Sequence, residues 1–218
     1  MSPPSTTISA LRGDSARIER QIGQALDLLQ DGLGAGYITR EGLLRFVTPG
    51  AMPAAREPFK SALLATDETT DEVIGALLFE IVAADAFRAS FLGSYELLRA
   101  DPDIQRMEGA RVGFIRSIVV APVARGGGVA RRLLATGMQA LADHGAQGYY
   151  SLAWVNRRTG CELCGALTAL DFRSVRRIER FWYQDSLARG YRCPACAGPC
   201  ECAVEVMIRC LESTAEEE

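Results

Sequence analysis

The sequence predicts a mixed α/β (α+β) fold in which helices flank one central sheet. Stretches with helical spacing alternate with short apolar runs typical of strands, and the middle of the chain has the order strand, glycine turn, helix, strand. Of the 218 residues, 48% are apolar and 23% are charged, which excludes disorder over most of the chain. This length suits one generous domain, or one domain with an appendage.

The first half of the chain predicts two helices followed by two strands. An apolar residue every three or four positions predicts an amphipathic helix over 14–30, and a shorter helix is predicted over 41–46. Glycine and proline mark 49–58 as a loop. The next apolar runs predict strands over 61–66 and 72–83, and the second is apolar enough to be covered on both faces.

The middle of the chain predicts a right-handed crossover unit. Helical spacing over 85–109 fits a cover over a substrate cleft, and it fits plain packing at least as well. A strand is predicted over 112–120, and a glycine turn follows it. A helix then begins at Val129 and ends at His144, and another strand is predicted over 149–155.

Three consecutive glycines, Gly126 to Gly128, stand where this helix begins. Glycine allows positive φ and a close approach of the backbone to a ligand, and the first amides of a helix favour an anion. Such a turn suits phosphate. No Gly-Lys-Ser/Thr follows, which excludes a Walker loop, and no acidic residue stands where a dinucleotide site needs one. By itself the triplet fits a plain tight turn equally well.

The segment from Ile118 to Leu134 resembles the acetyl-CoA signature of the GNAT N-acetyltransferase superfamily. Its residues 125–130, Arg-Gly-Gly-Gly-Val-Ala, match the pattern Arg/Gln-x-x-Gly-x-Gly/Ala between a strand and a helix, and the resemblance covers about 5–185. It implies a mixed, mostly antiparallel central sheet with splayed central strands and flanking helices. It also implies an acetyltransferase domain over 1–190, on which a Cys-rich hairpin over 191–218 packs.

The resemblance implies an acyltransferase that moves an acetyl group from acetyl-CoA to a primary amine of a small molecule or peptide. By position, the amides of 126–130 would hold the pyrophosphate, and main-chain groups of 118–120 would pair with the pantetheine arm as an added strand does. The amine would attack the thioester between the splayed strands, where a main-chain amide stabilises the oxyanion. The implied cofactor-binding residues are Ile118, Val119, Val120, Arg125, Gly126, Gly127, Gly128, Val129, Ala130 and Asn156.

The sequence departs from the family at the catalytic positions. Leu167 stands where many relatives carry a tyrosine that protonates the leaving thiolate, and a leucine donates no proton. Tyr183 is the candidate catalytic replacement, although a place in the aromatic core at the sheet edge is the commoner role for such a residue. Solvent is the other proton source. Arg116 lies near the place of a common carboxylate, so no general base is predicted.

Six of the seven cysteines fall in two groups. Cys193, Cys196, Cys200 and Cys202 are the predicted ligands of a structural zinc ion, since four thiolates close a tetrahedral shell. Their segment resembles a Cys-rich tail of some prokaryotic relatives, with Ala197 in place of a glycine. Alternatives are a site built from both Cys-x-x-Cys pairs, which would include 161 and 164, a disulfide or redox use, and free thiols.

Charge and hydropathy limit the other classes of function. The net charge of −3 gives no broad attraction to nucleic acid or anionic lipid, although 157–192 carries eight arginines against four acidic residues. No run has the length of a membrane span and the first residues do not resemble a secretory signal, so a cytoplasmic protein with reduced thiols is expected. An acyl-CoA-binding module without turnover and a zinc-stabilised nucleic-acid-binding protein remain as alternatives. The oligomeric state is left open, a dimer included.

Overall fold

The computed structural model describes residues 5–12, 16–47 and 59–210, and the loop predicted over 49–58 lies outside them. The strands are β1 Thr6–Ala10, β2 Lys60–Asp67, β3 Val73–Val82, β4 Val112–Val120, β5 Gly148–Val155, β6 Arg173–Ile178 and β7 Ala203–Cys210. The helices are α1 Ala16–Leu33, α2 Arg40–Leu44, α3 Ala84–Phe87, α4 Pro102–Glu108, α5 Val129–Asp143, α6 Cys164–Thr168 and α7 Tyr183–Arg189. Short 3-10 turns cover Arg88–Phe91, Tyr95–Leu97 and Pro122–Ala124.

The strands form one sheet in the order β1-β2-β3-β4-β5-β7-β6. β4 and β5 run parallel, whereas every other neighbouring pair is antiparallel. The pairing of β4 with β5 covers only 112–115 and 148–151, so the rest of these two strands separate. The predicted mixed, mostly antiparallel sheet with splayed central strands and flanking helices is therefore confirmed.

Helices cover both faces of the sheet. The apolar stripe of α5 packs with Leu77 and Phe79 of β3 on one face, and that of α1 packs with Leu78 on the other. Successive side chains of a strand point to opposite faces, which is why every residue of β3 is buried. The prediction of a strand covered on both faces is correct for β3, and the helix predicted over 14–30 corresponds to α1.

Two parts of the chain differ from what the sequence predicts. The edge strand β1 was not predicted, because its five residues alternate between buried and exposed and include only one large apolar side chain. The 85–109 stretch forms short helical pieces instead of one helix, interrupted by positive φ at Leu92 and Gly93. Its aromatic rings Phe87 and Phe91 pack against Tyr150 of β5, as the packing interpretation predicts.

The C-terminal strand β7 lies between β5 and β6. It pairs with all eight residues of β5, from Gly148 to Val155, and antiparallel with β6 on its other side. The Cys-rich segment leads directly into β7 and is therefore held at one end of the sheet. The boundary predicted between 190 and 191 stays a prediction. Within the described residues no helix is long and apolar enough to cross a membrane.

Candidate functional site

A cleft of about 440 Å³ opens where β4 and β5 separate. It is lined by 115–120 of β4 and by Ser151, Leu152 and Trp154 of β5, and it extends to the glycine turn before α5. Beyond Ile115 and Ser151 the facing edges of the two strands have no strand partner in the described chain. Such edges offer main-chain donors and acceptors to an extended ligand.

The glycine turn has the backbone conformation that the sequence predicts. Gly126 and Gly128 have φ of +78° and +75°, and Gly128 is the N-cap of the 15-residue helix α5 without any side-chain cap. A Cβ at either position would meet no atom within 4 Å, so glycine is needed for its φ and not for space. Gly126, Gly128, Val129 and Ala130 line the cleft, whereas Gly127 does not.

Positive side chains surround this end of the cleft. Arg125 and Arg131 line it, against one acidic residue, Glu162. Arg125 Nε donates to the Val120 carbonyl at 3.2 Å, and its Nη1 lies 3.4 Å from a Glu162 carboxylate oxygen. A helix N-terminus flanked by arginines attracts a phosphate group electrostatically. The arrangement can therefore bind a polyphosphate.

Asn156 lies at the far rim of the cleft, just after β5. Its main chain exchanges two hydrogen bonds with Gly160, and its Oδ1 accepts a hydrogen bond from the amide of Arg158 at 2.9 Å. The side-chain oxygen thus closes a tight turn. The predicted cofactor-binding residues are brought together here with the single exception of Gly127.

A second cavity of about 530 Å³ adjoins the cleft and was not predicted from the sequence. Its charged lining includes Glu80, which is only 5% exposed and forms ion pairs with Lys60 at 2.5 Å and with Arg116 at 2.7 Å. Ala86 and Ser90 also line it, so part of the 85–109 stretch does cover a cleft. The residues shared by both cavities are Tyr37, Arg116, Leu152 and Trp182.

Tyr37 lies in the turn between α1 and α2, at the junction of the two cavities. Its hydroxyl shares a hydrogen bond of 2.8 Å with Ser117 Oγ of β4, and its carbonyl accepts one of 2.7 Å from Arg189. Its ring meets that of Tyr191 edge-on, with centroids 6.1 Å apart. The sequence carries no motif around Tyr37, and only the glycine-rich turn before it marks the position.

The predicted catalytic candidate, Tyr183, lies outside both cavities, and so does Leu167, which stands in place of the family tyrosine. Tyr183 begins α7, is half-buried beneath the guanidinium of Arg180, and lines neither cavity. It therefore lies at a helix start and not in the aromatic core at the sheet edge. Leu167 is fully buried in the core beside α5. The structure does not bring either residue to the junction.

Cys193, Cys196, Cys200 and Cys202 form a compact cluster in which all four sulfurs lie within 4.8 Å of one another. The Sγ of Cys202 is 3.9 Å from that of Cys193 and 3.6 Å from that of Cys196, and none of the four forms a disulfide. Four ligands at ~2.3 Å around a tetrahedral zinc ion have sulfurs about 3.8 Å apart. The donor set and its spacing fit a zinc ion.

The first Cys-x-x-Cys pair does not join this cluster. Cys161 and Cys164 form a disulfide with each other at the start of α6, with Cα atoms 5.4 Å apart. This finding differs from the expectation of reduced thiols. The alternative metal site built from both Cys-x-x-Cys pairs is therefore wrong for this structure, because the sulfurs of Cys161 and Cys164 are bonded to each other. The four cysteines of the cluster are enough to surround a metal ion without them.

The Cys-rich segment touches the turn that carries Tyr37. The amide of Arg192 donates to the Ala35 carbonyl at 3.3 Å, and a Cβ on Gly34, where φ is +116°, would lie 2.3 Å from the Arg192 carbonyl oxygen. Two backbones therefore meet here at a distance that only glycine allows.

Gly34→Ala should lower the free energy of unfolding by roughly 2–4 kcal/mol, because the unfavourable φ and the clash with a backbone atom add. Urea unfolding measures the loss. Gly93→Ala is the matched control, since φ is +84° there and a Cβ meets nothing within 4 Å. Equal losses in the two variants would show that the Gly34 contact is unimportant.

Comparison with known proteins agrees with this geometry. The sequence model of the Acetyltransferase (GNAT) family matches residues 44–159, more than half of the chain, and no curated protein sequence matches. The NatC complex bound to Gag peptide and CoA is similar over 95% of this chain and 99% of that one, with 14% identity and a TM-score of 0.60. A GCN5-related N-acetyltransferase from Kribbella flavida has 18% identity and a TM-score of 0.55, over 94% and 98%. The ribosomal-protein-S18-alanine N-acetyltransferase from Escherichia coli has 11% identity and a TM-score of 0.57, over 98% and 99%.

At these identities the structural similarity establishes only the fold, whereas the match to the family model establishes the family. The matched range contains β4, the glycine turn, α5 and β5, which are the elements that form the cleft. The resemblance noted in the sequence and the prediction of an acyltransferase enzyme are thereby confirmed. The chain belongs to the GNAT acetyltransferase family.

Proposed function

We propose that this enzyme transfers an acetyl group from acetyl-CoA to a primary amine. The observation that carries the proposal is the cleft between the separated strands, which ends at a positively charged glycine turn. One end of this cleft suits a diphosphate, and the unpaired edges suit an extended amide chain. Acetyl-CoA combines these two chemical features in one molecule.

In this proposal the cofactor lies along β4. The amides at the start of α5, from Gly126 to Ala130, bind the diphosphate, with Arg125 and Arg131 supplying charge. Main-chain groups of Ile118 and Val120 pair with the pantetheine arm. Val119 alternates to the other face, where its side chain lies against α1; a Cβ on Gly32 would approach it to 2.6 Å. Its role is therefore to hold β4 in place.

The second cavity receives the acceptor amine. It opens on the junction from the side opposite the glycine turn, so an amine there faces the thioester between β4 and β5. The amine attacks the acetyl carbonyl, and the carbon–sulfur bond then breaks to release CoA. A small-molecule or peptide amine is the acceptor class.

The cysteine cluster holds a structural zinc ion in this proposal. Its four sulfurs would complete the coordination shell, leaving no position for water or substrate. The ion would thus supply folding energy and no catalytic step. By holding the segment after Tyr191, it would also support the turn that carries Tyr37.

Release of CoA thiol tests the proposed reaction directly. The protein is mixed with acetyl-CoA and one of agmatine, phenethylamine, an amino acid or a peptide with N-terminal alanine, and free thiol is followed with a chromogenic disulfide. We expect at least one acceptor to raise the rate ~10-fold or more over the rate without acceptor. Binding of acetyl-CoA without thiol release from any acceptor would instead identify an acyl-CoA-binding module.

The arginines of 157–192 do not favour a nucleic-acid surface. Arg157 pairs with Glu201, and Arg173 pairs with both Asp101 and Asp103 outside the stretch. Two further arginines pair with Glu179 and Asp185 within it. Acidic partners thus neutralise four of the eight arginines, which reduces the excess of positive charge that the sequence shows in this stretch.

A further inference from the structure

A proton donor is missing from the position where the family resemblance implies one. Leu167 fills that position and is fully buried in the core, so no hydroxyl reaches the cleft from α6. Departure of the thiolate is faster when a positioned group supplies its proton. Such a group must touch the point where cofactor and acceptor meet.

Few described side chains meet that condition. The residues that line both cavities are Tyr37, Arg116, Leu152 and Trp182, and only the first two carry groups that could assist the reaction. An arginine is not deprotonated in proteins, and Arg116 is already paired with the buried Glu80. Tyr37 is therefore the one junction residue able to donate and recover a proton.

We propose that the hydroxyl of Tyr37 is the proton donor to the departing CoA thiolate. This inference rests on the proposed acetyl transfer. It assigns a catalytic residue to the turn between α1 and α2, which pack on one face of the sheet, whereas α6 packs with α5 on the other.

The hydroxyl lies at the inner end of the strand gap. Its partner Ser117 is the second residue of β4 beyond Ile115, where pairing with β5 stops. Between them Arg116 is skipped in the register with β3, as in a β-bulge, since Leu78 pairs with Ser117 and Phe79 with Ile115. The bulge turns the main chain at the place where the thioester lies in the proposed mode of binding. Tyr37 thus faces the reacting sulfur and not the diphosphate.

Three contacts hold the Tyr37 side chain in this orientation. Ser117 Oγ binds the hydroxyl, Tyr191 supports the ring, and Arg189 binds the carbonyl. Tyr191 is only 6% exposed and precedes the cysteine cluster by two residues. A donor that is already positioned needs no reorganisation when the bond breaks.

In this proposal Tyr37 lends one proton during acetyl transfer and recovers it. The nitrogen lone pair of the amine forms a bond to the acetyl carbon, and the carbonyl electron pair moves to oxygen. When the tetrahedral intermediate collapses, the carbon–sulfur bond breaks, its electron pair goes to sulfur, and the Tyr37 hydroxyl transfers its proton to that sulfur. The phenolate then takes the proton that the acylated nitrogen loses. The products are the N-acetylated amine and CoA thiol, and Tyr37 is restored.

Tyr37→Phe tests the assignment, with the fastest acceptor of the panel above. We expect kcat to fall ~100-fold, whereas the Kd for acetyl-CoA, measured by calorimetry, stays within about threefold. The KM for the acceptor should also stay within about threefold of the wild-type value, so that the loss lies in kcat. Loss of a merely structural tyrosine would instead raise the KM or the Kd together with the fall in kcat.

Two further variants test the hydrogen-bond partner of Tyr37 and the rival proton donor. Ser117→Ala leaves Tyr37 in place but removes its partner, and should lower kcat by about tenfold or less. Tyr183→Phe examines the rival assignment. The proposal is overturned if Tyr37→Phe retains the wild-type kcat, or if Tyr183→Phe lowers kcat by the ~100-fold expected of Tyr37→Phe. Absence of wild-type turnover with every acceptor would overturn the proposed acetyl transfer itself.

Discussion

Gly128→Glu should abolish binding of acetyl-CoA. The backbone of Gly128 lines the cleft at the N-terminus of α5, with φ of +75° and open space around the missing Cβ. A glutamate there would place a carboxylate beside the amides and arginines that attract the diphosphate. Repulsion at such distances reaches several kcal/mol in a partly dry site, so we expect Kd to rise ~100-fold or more in calorimetry.

Gly93→Glu is the matched control for this variant. Gly93 also has positive φ, of +84°, and a Cβ there also meets nothing within 4 Å, but it lines neither cavity. The two variants therefore share the added charge and the backbone strain. Retention of wild-type affinity by Gly128→Glu would contradict the assigned diphosphate site, and equal loss in both variants would attribute the effect to folding.

Loss of the proposed zinc ion should destabilise the protein strongly. Cys202 is fully buried and lies near two other sulfurs of the cluster, so Cys202→Ser removes a central ligand. Structural zinc sites contribute on the order of 10 kcal/mol of binding energy, which is linked to folding. We expect metal analysis to give about one zinc per wild-type chain and far less in the variant, with an unfolding temperature lower by ~10 °C or more.

Cys210→Ser provides the comparison for the cluster. Cys210 ends β7, is half-buried against the core and lies outside the four-sulfur group. Its replacement should leave the zinc content unchanged and cost at most ~1 kcal/mol of stability. Absence of zinc from the purified wild-type protein, with no stabilisation by added zinc, would refute the metal site.

The crossover unit could be predicted from the sequence because its signals are local. The apolar run of β4, the glycine triplet, the stripe of α5 and the start of β5 follow one another within about 40 residues of chain. The right-handed connection between parallel strands follows from chain geometry. By contrast, β1 is a strand only because the edge of β2 accepts it, and its own residues contain too few apolar side chains to show this.

In the candidate site, too, the features formed by one short segment could be predicted from the sequence, and those formed by distant segments could not. The glycine turn and the four-cysteine cluster are each contained in a short segment, so residue type and spacing were sufficient to predict them. The junction of the two cavities could not be predicted from residue type and spacing. Tyr37 and Ser117 are 80 residues apart in the chain and meet only because the α1–α2 turn packs against β4. Glu80 and Arg116 are brought together in the same way, by the pairing of β3 with β4.

The sequence by itself determined the family, the glycine turn before α5 and the four-cysteine cluster. These depend on backbone freedom at Gly126 and Gly128 and on the chemistry of thiolates, which neighbours in the chain specify. The tertiary structure decided which hydroxyl lies at the junction of the two cavities, which cysteines pair with each other and which residues line the second cavity. Those outcomes depend on distances between elements far apart in sequence, and burial of the core sets such distances only when the whole sheet has formed.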